Sequence, residues 1–97
     1  MLTYKAMYKF VDGGVHAEVL DFPGAISCAD DLEEARIMLA SALEDVAESH
    51  LLSGRPIPLP NSTVENDEAD LTEPIHLLLR AGARVEINVG PRRTSAA

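Results

Sequence analysis

Tryptophan is missing from this chain, and its aromatics are few: Tyr4, Tyr8, Phe10 and Phe22. The core must therefore be mostly aliphatic. Cysteine is nearly missing too. Cys28 stands alone, so no disulfide can form within the chain, which fits a reducing compartment. No apolar run is long enough to span a bilayer, and "MLTYKAMYKFVDGG" at the N-terminus has no uninterrupted apolar stretch of signal-peptide length. These absences predict a soluble, cytoplasmic protein. Basic residues are scarce: 8 Lys and Arg stand against 16 Asp and Glu, for a net charge of -8. Between Asp12 and Glu48 the only Lys or Arg is Arg36. Such a surface repels phosphate backbones and attracts basic proteins. The plainer reading of the same charge is solubility alone.

What is present is ordinary globular usage, 46% hydrophobic and 25% charged over 97 residues. That predicts one domain, taken as residues 1–90, with an acidic loop at 61–73 and a frayed tail at 91–97. The stretch "LTYKAMYKFV" alternates, with Tyr4, Ala6, Tyr8 and Phe10 on one face and Lys5, Met7, Lys9 and Val11 on the wetter other, as in a strand. "DGG" at 12–14 supplies a tight hairpin turn, and "VHAEVL" follows as a second strand. "DFPG" ends that strand, because Pro23 cannot donate to a ladder. "AISCA" is a short third strand, closing an antiparallel meander.

A helix follows. Asp31 suits the N-cap, with Glu34 three residues on as in a capping box. Leu32, Ala35, Leu39, Ala42, Leu43 and Val46 form its apolar stripe, and Leu39 and Val46 are expected to face the sheet. Gly54 is the stop signal beyond about His50 or Leu52. "GRPIPLP" forces extended backbone, and "NSTVENDEAD" reads as a loop. "IHLLL" at 75–79 is expected to be a fourth strand, in preference to a short helix at 73–81, and "RVEINV" at 84–89 a fifth. The fold class expected is α+β, in the order β-β-β-α-β with one or two strands after the helix.

Three stretches in this order resemble the HicB-like antitoxin family: Phe22, Pro23 and Gly24; then Ala29 through Ala35, "ADDLEEA"; then Gly54, Arg55, Pro56, Ile57 and Pro58. The likeness covers roughly residues 4–60. It implies a three-stranded antiparallel sheet, a helix packed on one face and a further strand, similar to a truncated RNase H-like sheet. It also implies a non-enzymatic protein that binds and neutralises a small basic HicA-type ribonuclease toxin, or a stand-alone relative of such antitoxins. Many members carry a C-terminal ribbon-helix-helix or helix-turn-helix module that represses their own operon. Here "ARVEINVGP" resembles the first strand of a ribbon-helix-helix, but the two helices do not follow. Sequence-specific DNA binding, the autorepressor alternative, is therefore not expected.

The acids Asp12, Glu18, Asp21, Asp30 and Asp31 are the candidates for a metal-dependent nuclease, the third reading. They scatter over turns and a cap, with Glu18 alone in mid-strand, so no catalytic site is expected. His16, His50 and His76 lack paired ligand spacing, and no metal or cofactor is expected. Cys28 is expected at a buried, inert strand position. Asp12-Gly13-Gly14 is a turn rather than a phosphate loop. The partner-binding residues expected are Glu18, Asp21, Asp30 and Glu33. Arg84, Glu86 and Asn88 share one face of "RVEINV", and Val85, Ile87 and Val89 share the other. That apolar face needs cover, so a homodimer or higher oligomer is expected through Val85, Ile87 and Val89.

Overall fold

The computed structural model describes residues 1–78. The elements are β1 (Leu2–Val11), β2 (Gly14–Val19), β3 (Ile26–Ala29), α1 (Leu32–Ser53) and β4 (Leu71–Leu77). The strands form one antiparallel sheet in the order β3-β2-β1-β4. The fold is α+β, in the β-β-β-α-β order that the sequence predicts. A fifth strand at 84–89, the interface residues Val85, Ile87 and Val89, and the tail at 91–97 lie outside the described residues.

Two glycine-bearing turns fold the meander. Val11 pairs with Gly14 across Asp12 and Gly13, and Gly13 has φ +81; a two-residue hairpin loop requires such a left-handed residue. At the second turn Ala25 N–H donates to Phe22 C=O at 3.2 Å, across Pro23 and Gly24 with φ +98. Pro at the second position and a left-handed Gly at the third are the requirements of a type II turn.

α1 lies on the sheet face formed by Tyr4, Ala6, Tyr8, Val15, Ala17 and Val19. It buries Ala35, Leu39, Leu43 and Ala47 there. Val46 is only half-buried, at the edge of this cluster, and Ala47 takes the central place expected of it. Asp31 caps the helix by accepting from Glu34 N–H at 2.8 Å, while Glu34 accepts from Asp30 N–H at 3.0 Å. The return bond therefore reaches one residue before the cap rather than the cap itself. At the other end Gly54, with φ 74, turns the chain so that Arg55 N–H reaches back to His50 C=O at 2.9 Å.

The alternation of β1 misplaces two residues. Met7 falls on the lysine-bearing face yet is 2% exposed. Lys5 Nζ donates to the carbonyls of Ser62 and Val64, and Lys9 pairs with Glu68. The loop between the helix and β4 is thereby drawn across the row that holds Met7. Phe10 falls on the core face yet is 51% exposed. The β1–β4 ladder stops at Tyr8–Leu71, so Phe10 has a strand neighbour only on the β2 side.

β4 begins four residues earlier than "IHLLL" suggests and takes in Pro74. The sequence rule that proline breaks a ladder fails here for a geometric reason. Pro74 sits opposite Lys5. The N–H of Lys5 goes to Asp21 Oδ1 and its C=O accepts from Leu20 N–H, so both backbone groups of Lys5 point away from β4. Pro74 is not asked to donate, and its missing N–H lies on the outer edge. The start of β4 also shortens the acidic loop, which ends before Leu71 rather than at residue 73.

Candidate functional site

The residues expected to bind a partner do not converge. Asp21 is 8% exposed and lies within the fold. Its Oδ1 accepts from Lys5 N–H and its Oδ2 from Asn61 N–H, both at 2.8 Å. The carboxylate thus continues the β1–β2 ladder past Val19 as a carbonyl would, and it ties the post-helix loop to β1. This corrects its placement among the surface acids: a carboxylate that accepts two backbone amides is an internal staple. Glu18 lies on the sheet face away from α1, with Oε1 3.2 Å from His16 Nε2. Asp30 and Glu33 are exposed at the start of α1.

Around Asp21 the contacts are aromatic and proline-borne. Phe22 is fully buried, with its ring centroid 5.3 Å from those of Tyr4 and His50, edge-on to both. Tyr4 Oη donates to Pro58 C=O at 2.6 Å, and His50 Nδ1 lies 3.0 Å from Pro56 C=O. Burial raises the Tyr4 hydroxyl pKa above its ordinary value, and the nearby Asp21 charge adds to this. The Pro-rich segment is therefore strapped across the end of the helix and the DFPG turn. A cavity of about 300 Å³ lies beside this knot, between Tyr4, Lys5 and Pro74; its two acids, Asp21 and Glu73, are already hydrogen-bonded.

A second polar cluster clamps α1 to β4. Arg36 grips Glu73 with two parallel bonds, Nε to Oε2 and Nη2 to Oε1, each 2.9 Å. The Tyr8 hydroxyl joins them. Its pKa is pushed up to about 12, first by burial and then by the Glu73 charge. The bond from Arg36 holds the Glu73 carboxyl below its ordinary value of 4.5. A depressed carboxylate contributes stability above its unfolded pKa and loses it as pH falls through the folded one. The denaturant midpoint of the parent should therefore exceed that of Glu73→Gln at neutral pH. The gap should narrow as pH is lowered below about 4.5. A gap that stays constant down to acid pH would show that the ion pair contributes nothing.

The open end of the sheet carries a groove of about 620 Å³. The β1–β2 turn, the end of β3 and the start of α1 meet there. Val11, Val15, Ala29 and Met38 line it with apolar surface, and the carboxyl-bearing Asp12, Asp30 and Glu34 line it as well. Val11 and Met38 are nearly half exposed. No Lys or Arg lines the groove, and among the described residues none forms an ion pair with Asp12 or Asp30. One wall depends on Gly14: a Cβ there would stand 2.7 Å from the Ala29 carbonyl oxygen. Cys28 also lines the groove and is exposed, contrary to its expected burial. It shares the parity of Ile26 on an edge strand, opposite His16, and so points away from the helix.

Sequence reasoning finds Asp30 here and misses Asp12, Glu34, Val11 and Met38. Glu34 is read as a cap and Asp12 as a turn residue; both readings hold locally. Only the chain's folding brings the turn against the helix start. Among the described residues no group of three or more His, Cys, Asp or Glu is placed to hold a metal ion, and no helix is long and apolar enough to cross a membrane. No protein-family model matches the chain, and no curated protein matches it.

Proposed function

We propose that this chain is a HicB-like, non-enzymatic protein that binds and neutralises a small basic HicA-type ribonuclease toxin, or is a stand-alone relative of such antitoxins. One observation carries the reading. The turn and strap stretches on which the resemblance rests are joined to each other in space, and the third starts the helix they brace. Phe22 of the turn packs on Tyr4 and His50, and Pro56 and Pro58 of the strap accept from, or face, those same two side chains. Asp31 and Glu34 cap the helix that carries His50. The residues that carry the resemblance thus contact one another or cap the helix in this β-β-β-α-β arrangement, which supports the reading. The exposed acids Asp12, Asp30, Glu33 and Glu44 supply a surface complementary to a basic partner, and Arg36, the one Lys or Arg between Asp12 and Glu48, is paired with Glu73.

The test is co-expression with any short reading frame for a small basic protein that adjoins its own gene. That frame alone should arrest growth and cleave RNA, and this chain should restore growth. The purified pair should associate faster at low salt than at physiological salt. An adjacent frame that is harmless, or a toxin whose activity this chain leaves untouched, would sink the proposal.

A further inference from the structure

The groove at the open end of the sheet has two independent properties. Its lining includes accessible apolar side chains at Val11 and Met38. Its rim is anionic at Asp12 and Asp30, with no cation lining it. The rim is also held in shape. Glu34 accepts from Asp30 N–H, Asp31 caps the helix, and Gly14 lets β2 touch the Ala29 carbonyl. A nucleic acid or an anionic lipid surface would be repelled here. A purely apolar ligand would leave the carboxylates without partners.

We infer that this groove docks a basic amphipathic segment of a protein partner, with an apolar side chain seated between Val11 and Met38 and flanking Arg or Lys side chains meeting Asp12 and Asp30. The choice of partner rests on the function proposed above; the place and the chemistry rest on the groove. The apolar anchor supplies affinity, and the rim charges orient the segment and speed encounter.

The probe is a synthetic amphipathic peptide of roughly a dozen residues with Leu on one face and Arg on the other, and a counterpart with Glu in place of Arg. The full chain is titrated and methyl resonances are followed by NMR. The Arg peptide should shift Val11, Val15, Ala29 and Met38, and the Glu peptide should not. Asp12→Lys combined with Asp30→Lys should weaken binding at least roughly tenfold, and Glu65→Lys, on the exposed loop before β4 and outside the groove, should stay within about twofold. Met38→Lys offers an independent loss at an exposed site, and an unchanged denaturant midpoint verifies that each variant is folded.

Equal affinity in the double variant, or shifts confined to other surfaces, would overturn the inference. So would concentration-dependent shifts of the same methyls without peptide, because a second copy would then be the occupant. The two proposals separate cleanly. If a HicA-type toxin is neutralised equally by parent and groove variants, the function stands and the groove assignment falls. If the peptide binds in the groove but no such toxin is neutralised, the groove stands and the antitoxin reading falls.

Discussion

Leu39→Ala is expected to lower stability by about 2–5 kcal/mol, the range for a fully buried leucine truncated to alanine. Leu39 is 0% exposed, at the centre of the helix face that covers Tyr4, Ala6, Tyr8 and the β2 valines. Several of its core neighbours are alanines, too small to fill the space. The sheet-facing row includes Ala6 and Ala17, and the helix contributes Ala35 and Ala47. Small neighbours on both sides cannot collapse onto a vacated leucine, so the cavity should persist and the loss should sit high in that range. For a domain this size the melting temperature should fall by ~8 °C or more. Ile37→Ala is the control. Two residues away on the same helix, Ile37 is 66% exposed, and its truncation should stay within about 0.5 kcal/mol. Equal midpoints for Leu39→Ala and the parent would mean that the helix buries a different face.

Asp21→Ala should be nearly as damaging, by about 3 kcal/mol, for a different reason. It would remove one carboxylate and leave two backbone donors, Lys5 N–H and Asn61 N–H, without their acceptor. Each such orphan costs about 1–3 kcal/mol when water cannot replace the lost partner. Asp21→Asn should not restore the parent. The asparagine amide can accept from one N–H but must turn its own NH₂ toward the other, donor against donor. Denaturant melts of the three proteins, with hydrogen exchange at Lys5 and Asn61, check this. A fully stable Asp21→Asn would show that one accepted bond suffices and that the staple is weaker than its geometry implies.

The pattern-based features of this fold were legible because each is decided by neighbours along the chain. Asp31 caps because its side chain reaches Glu34 N–H three residues on. Gly13, Gly24 and Gly54 take left-handed backbone where turns and the helix end demand it. β2 forms as the strand expected of it, with Val15, Ala17 and Val19 buried on one face. Most of the failures share a cause. At Met7, Phe10 and Asp21 a local rule is overridden by a distant segment, and Pro74 enters a strand that the sequence starts only at residue 75. A loop more than fifty residues away covers Met7, the ladder's end leaves Phe10 open, and the direction of Lys5's backbone groups admits Pro74.

The candidate site divides the same way. The α+β order, the helix and its caps, the shortage of cations and the surplus of acids are all readable along the chain. Which acids stay on the surface and which lie inside is set by contacts between segments far apart in the chain. Asp21, beside a turn, was turned inward by two unsatisfied amides that needed an acceptor. Asp12 and Asp30 are 18 positions apart in the chain, and the hairpin and the β3–α1 junction bring both to one groove. Electrostatic complementarity depends on distance in space, and distance in space is set by how strands pair and where a helix lands.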